Sequence, residues 1–368
     1  MTDRNHFLDH IKALACLSIV LHHLAFYSPM AEVLHGALPA FIDWLADDAR
    51  MAVQIFLVIS GYLTTAALAP QGTGHFAQWW PPISQRFVRL SLPYCAALVM
   101  ALVINATVRN LGFDHESVSA NPTWDSVLAH LLLLHSLGGW ESISAGVWYV
   151  AIDFQLYALC ALWLWVSSRQ HLCSWLGQAG VVAATAASLF SWNLNSDLDI
   201  WALYFMGAYG LGMMAWWSTH APTPPQRLLW VLILTGLGVT ALSLFWRERI
   251  ALALVMAMAL AIGGNLRWPQ AMRHWHCAPL TWIGQRSYSI FLIHFPMSLL
   301  VSAEVSASWP HSMPAAVLGM LLSIGLSLAA AEFLYEWTEQ VRGTWRHLHR
   351  WQLGVMSTGV LATLTQNF

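Results

Sequence analysis

Charged residues are scarce in this sequence. Of its 368 residues, 16 are lysine or arginine and 18 are aspartate or glutamate, so charged residues make up only 9% of the chain. Soluble domains contain about 25% charged residues, and so few charges could not cover the surface of a soluble protein of this size. Together with 58% hydrophobic residues and a mean hydropathy of +0.55, this scarcity predicts a polytopic membrane protein.

Features that mark several other protein classes are also missing. The net charge of −2 provides no basic surface, so no nucleic-acid partner is expected. The five cysteines lack metal-type spacing, so neither a disulfide framework nor a metal site is predicted. We find no phosphate-cradling loop, nucleophile elbow, zinc-binding motif or signal-peptide cleavage site. The lack of an internal repeat weakens an inverted-repeat transporter as an interpretation.

Long apolar runs indicate the fold class. A membrane-spanning helix needs about 20 mostly apolar residues, and the segments that meet this requirement are 8–28, 49–69, 84–106, 147–168, 172–192, 199–217, 227–246, 250–266, 280–301 and 314–337. With the N terminus in the cytoplasm, the basic residues that fall outside are only Arg50, Arg109, Arg247 and Arg249. Because positive charge concentrates on the cytoplasmic side, the sequence predicts an all-α membrane bundle of about ten spanning helices with both termini cytoplasmic.

Two further segments do not fit a spanning helix. Thr123–Leu137 is apolar but too short to span, and we expect an interfacial or re-entrant helix in the outer loop 107–146. Segment 345–364 starts with basic residues and continues with a short apolar run, which favours a helix on the membrane surface. We therefore predict one membrane domain over residues 1–340 and a basic cytoplasmic tail with an interfacial helix over residues 341–368.

Ionisable residues inside the first span are candidates for function, because burying charge in a bilayer is costly. Lys12 and His23 are eleven residues apart, which brings them to within about 20° of the same helix face, with a rise of about 16 Å. A cation at the inner rim below a titratable imidazole suits an anionic substrate from the cytoplasm. A snorkelling lysine and a structurally bonded histidine would give the same pattern.

Later spans carry further candidates. Arg86 and Arg89 share a helix face at the cytoplasmic boundary, where they could bind phosphate or simply obey the positive-inside rule. Asp153 is acidic and intramembrane, so it needs a partner. His294 and Ser287 are seven residues apart on one face, which fits either a structural hydrogen bond or a functional imidazole.

Five ordered motifs resemble those of acyltransferase family 3, a family of multi-spanning enzymes that acylate cell-surface glycans and other acceptors. They are Leu8–Lys12 followed by ten residues and His23, the run Ile55–Tyr62, Arg86 and Arg89 ahead of Pro93 and Tyr94, the run Trp148–Tyr157, and the run Ser287–Pro296. This chain departs from the family pattern at three positions. Lys12 stands where arginine is usual, Asp153 replaces glutamate, and His10 replaces glycine.

The resemblance implies transfer of an acyl group, most often acetyl, from cytoplasmic acyl-CoA to a hydroxyl of a cell-surface or lipid-linked glycan. It also implies a multi-pass protein of a bacterial-type inner membrane, surrounded by lipids, which works alone, as a homo-oligomer or within a polysaccharide assembly complex. Acetyl-CoA would be the co-substrate, and no metal is needed.

The same resemblance implies roles for individual residues. His23 would be the general base, since a reference pKa near 6.5 suits proton transfer at neutral pH; an acyl-histidine relay is an open alternative. Lys12 and Asp153 would assist catalysis, and Lys12, Arg86 and Arg89 would hold the phosphates of coenzyme A. The predicted contacts to the acceptor are Trp148, Gln155, Tyr288 and His294. Asp153 and His294 could orient either the acceptor or the base.

Two other function classes stay open at this point. A transporter or flippase for a lipid-linked sugar could use intramembrane His, Lys and Asp residues as a proton relay. A non-catalytic partner in a polysaccharide assembly complex would tolerate alanine at His23. The transporter would need no acyl-CoA, whereas the enzyme would release free CoA when it is given acceptor.

Overall fold

The computed structural model describes residues 6–169, 175–265 and 277–364, and helices dominate this part of the chain, with no β-strand in it. The helices are α1 His6–Tyr27, α2 Pro29–His35, α3 Pro39–Asp47, α4 Val53–Leu68, α5 Trp80–Asn110, α6 Trp124–Leu131, α7 Val147–Arg169, α8 Leu176–Phe190, α9 Met206–His220, α10 Pro224–Leu244, α11 Glu248–Asn265, α12 Ala278–Gln285, α13 Ser287–Ser308, α14 Met313–Leu334 and α15 Trp345–Leu364. The predicted all-α class is confirmed.

Seven segments of the described chain are long and apolar enough to cross a membrane: His6–Tyr27, Pro39–Leu68, Trp80–Asn110, Val147–Arg169, Pro224–Leu244, Ser287–Ser308 and Met313–Glu339. The protein is thus a multi-pass membrane protein. Three other predicted spans form helices of 15, 15 and 18 residues, which are α8, α9 and α11. At 1.5 Å per residue these are shorter than a bilayer core of about 30 Å, so a total of ten spans stays a prediction.

The chain divides into two compact units. The first contains the described residues of Met1–Arg50, Phe87–Ala151 and His276–Phe368, and the second those of Met51–Arg86 and Ile152–Trp275. In the first unit, α13 packs along α14, and α1 packs against α3, α12 and α13. A glycine permits the closest of these approaches, since a Cβ at Gly284 of α12 would lie 1.9 Å from the carbonyl oxygen of Asp9. Beside it, His10 and Thr281 share a side-chain hydrogen bond of 3.1 Å.

The loop between α5 and α7 is anchored by buried polar groups of the first unit. Asn105 of α5 accepts the backbone N–H of Ser119 at 3.0 Å and donates to the carbonyl of Ile143 at 3.4 Å. The predicted helix over Thr123–Leu137 is only half helical, because α6 ends at Leu131. The imidazole ring of His130, in the last turn of α6, stacks on that of His135 with centroids 4.1 Å apart, and both side chains are fully buried.

Helix α15 follows α5 lengthwise within the first unit. Its Trp345 ring stacks on Phe87, Gly354 packs against Val99, and Gly359 packs against the α6 residue Val127. The contact face of α15 is buried at Leu348, Val355 and Ala362. The division into a membrane domain and a tail at residue 340 stays a prediction.

The second unit is built around α9, which packs against α4, α8, α10 and α11. The approach of α4 to α9 is close enough to require glycine. A Cβ at Gly61 would lie 1.9 Å from the carbonyl oxygen of Tyr209, and one at Gly212 would lie 2.0 Å from that of Val58. Small residues at such crossings let membrane helices pack backbone to backbone.

Candidate active site

Two histidines meet in the interior of the first unit. His23 lies in α1 and His294 in α13, and His23 Nδ1 is 2.7 Å from His294 Nε2. Their rings stack with centroids 4.9 Å apart and an interplanar angle of 12°. Both side chains are buried. The structure therefore joins the predicted base to a residue that the sequence predicts to orient either the acceptor or the base.

The hydrogen bonds of this pair define the tautomers of the neutral rings. His294 Nδ1 lies 3.1 Å from the carbonyl oxygen of Ile290, and because a carbonyl oxygen only accepts, Nδ1 carries the proton. His294 Nε2 is then an acceptor, so His23 Nδ1–H donates to it. The lone pair of His23 is left on Nε2, which makes no hydrogen bond to the described residues. This is the orientation that a general base requires.

A small cavity lies beside His23. Its walls come from the end of α1, the middle of α13 and the loop after α5, and its lining residues are His23, Tyr27, Ser28, Ser117, Phe295, Ser298, Leu299 and Ser302. Since His23 Nδ1 is engaged by His294, Nε2 is the ring nitrogen available to a group in this cavity. The cavity lies toward the end of α1 that is opposite His6.

The backbone around His294 is held in place by hydroxyl groups. The Ser298 hydroxyl donates to the carbonyl oxygen of His294 at 2.8 Å, and the Ser327 hydroxyl donates to the same oxygen at 3.4 Å. Tyr27 and Phe295 pack edge to face beside the pair, with ring centroids 5.2 Å apart. These contacts hold the backbone of His294, while the bond from its Nδ1 to the carbonyl of Ile290 orients the ring against His23.

A group of charged residues lies nearer the start of α1. Lys12 Nζ is 2.9 Å from Asp9 Oδ1, with a quarter of the Lys12 side chain exposed. The Ser289 hydroxyl donates to Glu339 Oε1 at 2.5 Å. The Glu339 carboxylate also interacts electrostatically with Arg89 and Lys12. This group holds two cations that were predicted to bind coenzyme A, together with carboxylates that balance them.

The model of the acyltransferase domain family matches residues 5–332, which is most of the chain. The chain belongs to acyltransferase family 3. Its relatives include the peptidoglycan O-acetyltransferase OatA of Listeria monocytogenes, 21% identical over 370 residues that cover 90% of this chain and 54% of OatA. YrhL of Bacillus subtilis is 22% identical over 341 residues, covering 80% of this chain and 48% of YrhL.

A further relative of this family 3 chain is the Caenorhabditis elegans protein called regulator of hypoxia-inducible factor 1, which is 25% identical over 43% of this chain and 33% of its own length. The chain thus spans about half the length of the two bacterial relatives. No solved structure matches it.

In the second unit of this family 3 protein, Arg86 and Asp153 form an ion pair. Arg86 donates to Asp153 Oδ2 at 2.6 Å, and the guanidinium also lies over the Tyr157 ring at 5.2 Å. The carboxylate is nearly buried, with 4% of its side chain exposed. Asp153 thus has the partner that an intramembrane acid needs, and the charge of Arg86 is already balanced by it.

The remaining predicted site residues have more varied settings. Arg89 is exposed, while Trp148, Gln155 and Tyr288 are half-buried. The Tyr288 hydroxyl donates to the backbone carbonyl of Leu90 at 2.9 Å and so ties α13 to α5. For Trp148, Gln155 and Tyr288, contact with an acceptor stays a prediction. Among the described residues, no group of three or more His, Cys, Asp or Glu side chains is arranged to hold a metal.

Sequence reasoning missed two side-chain contacts of the first unit. Glu339 reaches Ser289 because Tyr335–Glu339 forms a π-helical turn at the end of α14, and such turns often occur at functional sites. Arg286 forms an ion pair with Glu332, and Arg286 Nη2 donates a hydrogen bond to Glu332 Oε1 at 2.7 Å. Neither partner could be paired from helical spacing alone, since each bond joins different helices.

Proposed function

We propose that this chain is a membrane O-acyltransferase that moves an acyl group, most often acetyl, from cytoplasmic acyl-CoA to a hydroxyl of a glycan. The observation that carries this proposal is that His23 lines a cavity while its Nδ1–H is bonded to His294, which leaves the lone pair of Nε2 as the acceptor of the ring. Family membership supports the reaction class. The name of OatA supports a glycan acceptor and an acetyl group.

The proposed reaction has two proton transfers at one nitrogen. His23 Nε2 removes the proton of an acceptor hydroxyl as its oxygen attacks the thioester carbonyl. The tetrahedral intermediate collapses by breaking the carbon–sulfur bond, and the CoA thiolate takes the proton back from His23. During this cycle the positive charge on His23 strengthens its Nδ1–H bond to the neutral His294. His294 is thus a positioning residue that stabilises the imidazolium form.

The donor would approach from the side of Lys12 and Arg89, whose cations suit the phosphates of coenzyme A. The concentration of arginine near the predicted cytoplasmic ends supports placing this side in the cytoplasm. Because Arg86 is paired with Asp153, its proposed role in donor binding requires that phosphate compete with a carboxylate. Lys12 has a similar constraint from Asp9.

The proposal is tested with purified protein in nanodiscs, supplied with acetyl-CoA and soluble peptidoglycan glycan fragments. We expect release of free CoA thiol that depends on the fragments, with one acetyl group gained by the fragment for each thiol released. Thiol release without acetylated product would refute transfer to a glycan. Acetyl label retained on the protein in the absence of acceptor would favour the acyl-histidine relay over direct transfer.

A further inference from the structure

Three arginines near the start of α15 have no partner among the described residues. They are Arg342, Arg346 and Arg350, and all three side chains are exposed. Seven other described arginines donate a hydrogen bond to a protein group, as Arg109 does to the carbonyl of Ser119. A guanidinium group carries five N–H donors, so the three arginines of this segment can donate to a ligand from outside the chain.

Arg346 and Arg350 lie on the side of α15 that faces away from the protein. The buried side chains Leu348, Val355 and Ala362 recur every seven residues and define the packed face of this helix. Each of the two arginines is two residues from Leu348, which is about 200° around the helix and thus about 20° from directly opposite. The two arginines are four residues apart, so they share this exposed face.

The position of α15 along α5 places these arginines at the level of the lipid headgroups. Helix α5 contains 31 residues, so it is about 46 Å long and extends beyond a bilayer core of about 30 Å. Trp345, next to Arg346, stacks on Phe87, which lies near the start of α5. Trp337 and Trp345 are also exposed, as is typical of tryptophans at the membrane–water interface. Lipid phosphates are therefore within reach of Arg346.

The local charge favours an anionic headgroup over a zwitterionic one. Segment 340–364 contains the three arginines and no acidic residue. The acids that precede it are Glu336, which is exposed, and Glu339, which accepts a hydrogen bond from Ser289. The stretch 336–364 thus has one exposed carboxylate against three guanidinium groups. This excess of positive charge would repel the ammonium group of a zwitterionic headgroup.

We propose that Arg346 and Arg350, assisted by Arg342, bind the phosphate of an anionic phospholipid on the exposed face of α15. Guanidinium groups hold phosphate oxygens through parallel hydrogen bonds, and two arginines one turn apart can hold one phosphate between them. These residues are separate from those proposed for acyl transfer, so the lipid site does not depend on the proposed function. The bound lipid ties the start of α15 to the headgroup layer.

The test uses the full chain in nanodiscs of phosphatidylcholine that contain a minor amount of photoreactive phosphatidylglycerol. Mass spectrometry is expected to find cross-links in residues 342–353, with a preference over photoreactive phosphatidylcholine. Each arginine near an anionic lipid surface contributes about fivefold in affinity, so the double variant Arg346→Gln, Arg350→Gln is expected to lower this preference about twenty-fivefold. The double variant Arg346→Lys, Arg350→Lys keeps the charge and is expected to keep most of the preference.

The matched control is Arg50→Gln, because Arg50 is also an exposed arginine of the first unit but lies outside α15. We expect this variant to cross-link like the wild type. Equal cross-linking of α15 to both lipids would overturn the proposal, and so would a glutamine double variant with wild-type preference. Loss of the cross-link in an excess of soluble glycerol phosphate would show that the site takes free phosphate esters, which would also overturn a lipid site.

Discussion

Lowering the pH from 7.5 to 5 is expected to open α6 together with the segment that follows it, because this region buries two neutral histidines. The rings of His130 and His135 stack in contact, and both are fully buried. Burial lowers the pKa of His130 to about 4, although its bond to the carbonyl of Ser126 opposes the shift. Burial and the neighbouring His130 lower the pKa of His135 to about 3.

The sign and size of the effect follow from linkage. Both histidines bind a proton more readily in the opened segment, where their pKa is about 6.5, than in the closed one. The closed segment is therefore fully stable above pH 6.5 and loses stability as the pH falls from 6.5 toward the lowered values. At pH 5 each histidine costs about 2 kcal/mol relative to pH 7.5, and the pair about 4 kcal/mol. A change of about 4 kcal/mol is comparable with the free energies of many local openings in folded proteins.

Amide hydrogen exchange of the protein in nanodiscs measures this opening. We expect protection of residues 124–143, corrected for the intrinsic rate, to fall steeply between pH 7.5 and 5. His135→Phe is expected to halve the pH dependence of this protection. The change removes no hydrogen bond, since neither His135 ring nitrogen has a hydrogen-bond partner among the described residues. His35→Gln, at an exposed histidine, is the control. Protection that is independent of pH, or a His135→Phe variant with the full pH dependence, would refute the reasoning.

Three further predictions concern packing, charge and topology. Gly61→Ala is expected to lower the stability by about 1–3 kcal/mol, because its Cβ would overlap the α9 backbone. Gly236→Ala, with nothing within 4 Å, is expected to be tolerated, and equal unfolding temperatures of the two variants would contradict this. Asp153→Asn removes the carboxylate from Arg86 and is expected to destabilise the protein by about 3–5 kcal/mol, while Asp153→Glu keeps most of the stability. An Asn variant as stable as the wild type would show that the ion pair does not stabilise the fold. The charge pattern predicts a cytoplasmic C terminus, but the contacts of α15 with α5 and then α6 favour the opposite side of the membrane. A C-terminal tag is therefore expected to be accessible from outside intact cells. A tag reached only after permeabilisation would refute this.

The fold class could be predicted because it depends on composition and local spacing. Few charges and long apolar runs suffice for an all-helical membrane protein, and α1 forms an unbroken helix over the stretch in which Lys12 and His23 were placed on one face. The helices α8 and α9 show where this reasoning weakens. Their apolar sequences resemble spans, but loops interrupt them after 15 residues, and in a protein interior apolar character no longer reports contact with lipid.

The site could be predicted only one residue at a time. His23 and His294 are 271 residues apart, and no periodicity relates positions on different helices. The sequence identified each histidine but left open whether His294 orients the acceptor or the base. Asp153 was expected to need a partner, yet only the fold pairs it with Arg86. Glu339 could not be found at all, because the π-helical turn that places it against Ser289 breaks the regular helical spacing.

The central claim is that His23 is the general base. It is tested most directly by measuring acceptor-dependent CoA release for His23→Gln and His22→Gln side by side. The two histidines are adjacent and buried, but His22 bonds to the backbone carbonyl of Leu45 and does not line the cavity. Since loss of a general base costs about 10²–10⁴ in rate, we expect His23→Gln to lose at least a hundredfold in kcat while His22→Gln stays within a few-fold of wild type. A well-folded His23→Gln variant with near wild-type kcat would contradict the account.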